Sequence, residues 1–251
     1  MSTRPDPREL IVLRRDRITP SLQRVTLGGP GLEGFPAGQQ GGYLKLFLGE
    51  DARGKPIVRT YTIRDQREDE LDIDFALHGD DAAGPATKWS LSAEPGETIK
   101  VGGPGAAKPL PEAHDFYLIA GDMTALPAIS VNLVALSNDA RGVAVIEIQN
   151  DADQVELDKP EGIEVRWLVN REPGSQPALL SDELRRIALP QGKLAGWAAC
   201  EFSAMRNLRA LLRDELGLRG DSLYISSYWK AGLIEDEHKR VKREDAETQT
   251  V

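Results

Sequence analysis

Apolar residues change rhythm near the middle of this chain. From residue 10 to about 103 they come in short, β-rich and often alternating runs, at 10–13, 22–27, 43–48, 58–63 and 71–77, separated by glycine and proline. That is the pattern of small antiparallel strands. A short helical period lies at 86–91. So many strands in so short a stretch predict a closed antiparallel β-barrel, which leaves no free edge. The turn-rich segment 102–111 reads as a link between domains. Beyond it, unbroken apolar runs at 116–120, 143–148, 163–169, 195–200 and 222–226 alternate with helical periods at 125–136, 179–187 and 204–216. Continuous apolar strands alternating with helices predict an α/β domain of nucleotide-binding type, its parallel sheet covered on both faces. The last helix carries the clearest signals: Ser203 stands as N-cap, Met205, Leu208, Leu211, Leu212 and Leu216 form one face, and Gly217 ends it. Residues 235–251 are mostly charged and form a polar tail, docked or frayed. The chain thus divides into a barrel domain at 1–107, an α/β domain at 108–234 and the tail.

Charge and cysteine content narrow the chemistry. The 251 residues carry 31 Lys plus Arg against 40 Asp plus Glu, a formal net charge of −9. That balance repels nucleic acid and anionic membrane surfaces, so neither is an expected partner. One cysteine, Cys200, cannot make an internal disulfide, an iron–sulfur cluster or a structural zinc site. Redox chemistry must therefore borrow a cofactor. The polar, proline-broken N-terminus lacks the apolar core of a signal peptide, and no apolar run approaches the roughly 20 residues of a membrane span. A soluble, cytoplasmic protein is expected.

Four runs carry candidate chemistry. In Arg59-Thr-Tyr-Thr-Ile-Arg64, a strand points Arg59 and Tyr61 to one face and Thr62 and Arg64 to the other. An aromatic plane, a hydroxyl and two cations suit a ring system joined to a pyrophosphate, although the same residues also suit an ordinary charged surface strand. His78 and then Gly84-Pro-Ala-Thr-Lys-Trp89 offer amides, the Thr87 hydroxyl and a helix start to a phosphate, in a turn type that is also routine. In Ala120-Gly-Asp-Met-Thr-Ala-Leu-Pro-Ala128 the Gly-x-Gly-x-x-Gly fingerprint is missing, which disfavours an ordinary Rossmann dehydrogenase. Gly121 there permits a tight turn, Thr124 can cap the helix and Pro127 suits its first turn. Last, Trp197-Ala-Ala-Cys-Glu-Phe-Ser203 is a buried strand ending in a structural Cys200 and in Glu201. Arg206 in the first turn of the following helix opposes the macrodipole, and Arg209 lies one turn on, which favours an anionic ligand there.

Taken together these runs resemble the siderophore-interacting protein family, FAD-dependent ferric-siderophore reductases related to the ferredoxin–NADP reductase superfamily. The resemblance covers nearly the whole chain and includes Tyr228-Trp-Lys-x-Gly232 followed by Glu235-Asp236. It implies FAD as cofactor, NADH or NADPH as electron donor and a ferric siderophore as substrate, with no obligatory protein partner. By that likeness Tyr61 lies against the flavin ring and Thr62 near its redox nitrogen, while Arg59 and Arg64 address the pyrophosphate and the electron-rich edge. His78, Gly84, Ala86, Thr87 and Trp89 belong to the phosphate-loop region. Asp122, Thr124, Ala125 and Glu201 border the nicotinamide pocket. A small basic cluster for the siderophore is assigned to Lys45 and Lys230, with Lys242 or Arg243 as third member. Cys200 departs from the glycine that family members often carry.

The coenzyme choice stays open. Glu147 and Asp151 close the second parallel strand, where acids suit a ribose hydroxyl and repel a 2′-phosphate, while Arg206 and Arg209 pull the other way. Two alternatives to the reductase are a flavin oxidoreductase serving a ferredoxin-like protein, which would need a broad basic face, and a siderophore carrier without turnover.

Overall fold

The computed structural model describes residues 6–77, 84–233 and 235–248. The chain splits into two compact units, one ending at Pro109 and the other beginning at Leu110.

The first unit is a closed antiparallel barrel of six strands, β1 (Arg8–Thr19), β2 (Leu22–Gly28), β3 (Tyr43–Glu50), β4 (Pro56–Gln66), β5 (Glu70–Ala76) and β6 (Thr98–Gly105). Their order around the barrel is β1-β2-β5-β4-β3-β6, and β6 returns to pair with β1. Alternation along the strands sends Leu10, Val25, Leu44, Leu46, Ile63, Ile73 and Phe75 inward, each fully buried. Helix α1 (Pro85–Ser92) lies between β5 and β6, and Ala86 from it joins the barrel core together with Ala93. Outside, Arg24 makes a bidentate pair with Asp74 at 2.6 and 2.9 Å, and Arg67 bonds Asp72 and Glu70, so charge ties β2 and β5 across the solvent face.

One difference from the sequence pattern lies at 102–105, where the turn formers are strand. A Cβ on Gly105 would fall 2.0 Å from the Tyr43 ring, and one on Gly102 would sit 3.5 Å from Phe47. These glycines make room for aromatic rings of the neighbouring β3, a reason for glycine that local turn statistics do not contain.

The second unit is a parallel sheet of β7 (Phe116–Gly121), β8 (Gly142–Ile148), β9 (Ile163–Val169), β10 (Leu194–Glu201) and β11 (Leu223–Trp229), in the order β11-β10-β7-β8-β9. Helices α2 (Leu126–Val134), α3 (Leu179–Arg185), α4 (Phe202–Arg209) and α5 (Glu235–Thr248) complete it. Leu118, Ala120, Val143, Val145, Ala198 and Cys200 form one sheet face and pack with Leu180 and Leu184 of α3 and Met205 and Leu208 of α4. Gly121 ends β7 where nothing larger fits: a Cβ there would stand 2.8 Å from the Ala199 carbonyl oxygen and 2.8 Å from Ile129 of α2. From β7 the chain runs outward to β8 and β9, then returns to the other side for β10 and β11. The crevice outside the carboxyl ends of β7 and β10 is therefore the topological switch point, where sheets of this kind bind ligands.

Two local expectations change. Ser203 is not the cap of α4: the longer Glu201 side chain folds over and accepts from the backbone N–H groups of Ser203 and Ala204, so the helix opens two residues earlier, at Phe202. The charged tail is helix α5 up to Thr248, docked through His238, Lys242 and Asp245. Among the described residues no helix is long and apolar enough to cross a membrane.

Candidate functional site

On the barrel, β4 carries the residues of the first run. Tyr61 pairs across the ladder with Leu44 and Arg59 with Leu46, so both side chains share the face of buried leucines, while Thr62 pairs with Tyr43 on the opposite face. Tyr61 lies 4.3 Å from the Phe75 ring, and Phe75 lies 5.6 Å from Trp89 of α1. A ladder of three rings thus joins β4, β5 and the helix. Phe75 was not singled out in the sequence because it reads as one more apolar residue of an alternating strand.

Helix α1 starts with Gly84 as N-cap and Pro85 in its first turn, with no side chain capping it and no acid in that turn. Ala86 and Thr87 are buried, and the Thr87 hydroxyl has no hydrogen-bond partner among the described residues. A buried, unsatisfied hydroxyl beside uncapped helix amides is costly unless a ligand supplies oxygens there. Among the described residues, a Cβ on Gly84 would meet nothing within 4 Å. Arg64 has no carboxylate partner among the described residues, although Arg14, Arg24 and Arg67 of the same barrel are all paired. The residues present therefore fit a flavin dinucleotide: an aromatic surface, a free cation and an anion-accepting helix start. His78 lies outside the described residues.

At the switch point of the sheet, Asp122 is the organiser. Its Oδ1 accepts from the Thr124 N–H at 2.9 Å and the Thr124 hydroxyl at 2.5 Å, and its Oδ2 accepts from the Glu201 N–H at 2.8 Å and the Trp229 indole N–H at 2.7 Å. One carboxylate thereby joins the carboxyl ends of β7, β10 and β11. Glu201 is likewise committed, capping α4 with one oxygen and accepting from the Ala231 N–H at 3.3 Å with the other. Thr124 therefore does not cap α2; Asp122 holds its hydroxyl back. Ala125 is fully buried and occupies the N-cap position without a side-chain hydrogen bond. Across residues 117–130 every residue is buried except Thr124, which alone reaches the edge.

The loop after β9 closes over the same edge. Asn170, buried, donates to Glu147 at 2.8 Å, while its own carbonyl oxygen accepts from the Glu172 N–H, the Ser175 hydroxyl and the Gln176 amide. Gly174, at φ +82°, comes so near that a Cβ on it would meet Ala231, Glu201 and Trp229 at 3.3–3.4 Å. Glu147 is therefore not an exposed ribose ligand. Burial, followed by the charges of Asp122 and Glu201, pushes its carboxyl up to about 7. The signal for Asn170 was in the sequence: a polar residue directly after a predicted strand's carboxyl end. Cys200 is fully enclosed, and burial pushes its thiol well up, which keeps it protonated and inert.

The basic residues divide. Lys45 lies half-buried on β3 beside Thr60 and Gly102, with no ion pair among the described residues. Lys230 holds its ammonium 4.4 Å from the centre of the Phe202 ring and also lacks a carboxylate partner there. Arg243 is exposed on α5. Lys242 is spent within the protein, donating to the Ser226 hydroxyl at 2.7 Å and the Ser227 carbonyl at 2.9 Å. Arg209 is not open to an anion either, because Asp245 of α5 holds it bidentately at 2.5 and 2.8 Å. Arg206 stays 61% exposed, 3.8 Å from Asp245.

Comparison with known proteins covers both units of the chain. The model of the siderophore-interacting FAD-binding domain matches residues 11–56 and 50–108, and that of the siderophore-interacting protein matches residues 114–232. Ferric vibriobactin reductase ViuB of Vibrio cholerae is 34% identical to the chain over 92% of each sequence. An NADPH-dependent ferric-chelate reductase of Escherichia coli is 29% identical, over 89% of this chain and 93% of its own. The crystal structure of the siderophore-interacting protein SipS from Aeromonas hydrophila superposes with a TM-score of 0.85 at 30% identity, covering 96% of this chain and 98% of that one. The two family-model matches, which together span residues 11–108 and 114–232, and the 34% identity to ferric vibriobactin reductase over 92% of each chain place this chain in the siderophore-interacting protein family.

Proposed function

We propose that this protein is an FAD-containing, NADH- or NADPH-dependent reductase of ferric siderophores. The observation that carries the reading is Thr87, a buried residue whose hydroxyl has no partner among the described residues, beside uncapped helix amides on the barrel that also bears Tyr61 and Arg64. The identity to a ferric vibriobactin reductase over 92% of both chains supports the choice of acceptor.

The chemistry supplied by a flavin bound there would be the conversion of a two-electron hydride into the single electrons that ferric iron accepts. The chain's own residues bind and orient. Tyr61, backed by Phe75, gives the ring a flat surface, and Thr62 offers a hydroxyl to its edge. Arg59 and Arg64 offset the negative charge of the pyrophosphate, and Gly84, Ala86 and Thr87 receive its oxygens at the start of α1. At the sheet edge, Thr124 meets the nicotinamide, while Glu201 ties the start of α4 to the segment after β11 and Ala125 lies against Gly121 at the end of β7. Lys45, Lys230 and Arg243 are the cations proposed to attract an anionic ferric chelate to an otherwise acidic protein. Reduction loosens iron from a hard oxygen-donor chelator, so ferrous iron is the product. Dependence on the reduced nicotinamide pool supports a reaction in the cytoplasm.

The test is anaerobic. NADH or NADPH should bleach the purified yellow protein, a ferric siderophore should restore the colour, and a ferrous-specific dye should collect the iron without any added ferredoxin. Colour restored only when a ferredoxin is present would assign the electrons to a protein acceptor, and protein that binds the chelate but never bleaches would be a carrier.

A further inference from the structure

We propose that Asp122 is a positioning residue that fixes Thr124 as a hydrogen-bond acceptor for the carboxamide N–H of the nicotinamide. This rests on the reductase reading, and deepens it by assigning a polarity to one atom of the site.

The argument starts from a proton count. A threonine hydroxyl has one proton to donate and lone pairs to accept with. In this structure the Thr124 hydroxyl lies 2.5 Å from Asp122 Oδ1, which also accepts the Thr124 N–H at 2.9 Å. The other oxygen, Oδ2, accepts the Glu201 N–H and the Trp229 indole N–H. Three of the four partners of the Asp122 carboxyl group are N–H groups, which can only donate, so both of its oxygens serve as acceptors. A carboxylate only accepts. The Thr124 proton is therefore committed inward, and what the residue turns toward the edge is its lone pairs.

Position adds the second half. Thr124 is the one residue of 117–130 that is not buried, and it stands at the switch point between β7 and β10. A ligand reaching that point meets an acceptor. The reactive ring of a nicotinamide dinucleotide carries one good donor, the carboxamide NH2, and its orientation sets which face of the ring is offered for hydride transfer. The staple also explains why a buried acid is tolerated here: four donors, two of them from neighbouring strands, offset its desolvation.

A chemical change in the ligand separates this role from general support. Binding of NAD+ and of NADP+ to the oxidised holoprotein is measured by calorimetry, each beside its 3-acetylpyridine analogue, in which a methyl group replaces the carboxamide NH2. The wild type should bind the carboxamide form about tenfold more tightly than the acetyl form, the size expected for one hydrogen bond. Thr124→Val and Asp122→Asn should bring that ratio to within about twofold of unity, whereas Thr124→Ser keeps it. Loss of the staple that merely loosened the edge would weaken both ligands alike and leave the ratio unchanged. Where the asparagine variant does not fold, Asp122→Glu, which keeps the charge but displaces the oxygen, serves in its place. An Asp122 variant that discriminates as the wild type does, or a wild type that binds both forms equally, overturns the inference alone. A wild type that binds neither dinucleotide overturns the reductase reading and the inference with it.

Discussion

Glu147 shows how a single residue can mislead a sequence and inform a structure. In the sequence it is an acid closing a strand, in the position of a ribose ligand; in the fold it is buried against Asn170 and helps hold the loop whose Gly174 lies over Glu201 and Trp229. Burial and the charges of Asp122 and Glu201 raise its carboxyl from an ordinary 4.5 to about 7. A raised acid binds more protons folded than unfolded, so stability falls as pH climbs from about 4.5 to about 7 and the full cost is present above that window. Replacing the acid by its amide removes the cost. Glu147→Gln should be more stable than the wild type at pH 8, by an amount on the order of 3 kcal/mol at most, and should show no such advantage below pH 4.5. Denaturant melts of both proteins across that range check it, and a difference that does not vary with pH contradicts it.

At the scale of elements, the tail is the main departure from what the sequence displays. Residues 235–248 have no apolar stripe, and nothing local says whether such a segment docks. It docks chiefly by polar side chains, beside an apolar contact from Val241: buried His238 meets the Ser227 hydroxyl at 2.7 Å, Lys242 bonds Ser226 and Ser227 on edge strand β11, and Asp245 takes Arg209 of α4. Burial, then the nearby Lys242 charge, lowers His238 to about 4, so it sits there neutral. The side chains of Arg209 and Asp245 are each 12% exposed, so their pair is little screened. Asp245→Asn should speed amide exchange across α5 by tenfold or more, following the roughly 1.5–3 kcal/mol of a charged hydrogen bond, while β7 and β8 exchange as before. Unchanged exchange in α5 would mean that the other contacts of the helix, from His238, Val241 and Lys242, hold it without the ion pair. The other elements were legible because their signals are local and agree: alternating runs in the barrel, continuous runs in the sheet, and the Gly217 stop after α4, which continues as a wider π turn over Ala210–Glu215. What was not legible depends on partners distant in sequence, such as Tyr43 over Gly105, Phe75 between Tyr61 and Trp89, and Asn170 beneath Glu147. The candidate site follows the same division. Its residue types could be read from four short runs, but the commitment of Asp122 and Glu201 to protein donors could be seen only once three strand ends met.

For the whole molecule, the central claim is that the barrel unit holds a flavin whose phosphates rest on the start of α1. Net charge −9 makes that local arrangement matter, since the protein as a whole repels an anionic dinucleotide and only specific donors can retain one. Arg64, Thr87 and the uncapped amides are the donors proposed for that role. The direct measurement is the visible spectrum of freshly purified wild type and of Thr87→Val, followed by titration of the deflavinated proteins with FAD. Wild type should carry a stoichiometric flavin band and retain it on dilution, and Thr87→Val should bind FAD about tenfold or more weakly with its fold intact, as expected for one lost hydrogen bond to a charged group. Folded wild-type protein that is colourless and takes up no FAD would contradict the account.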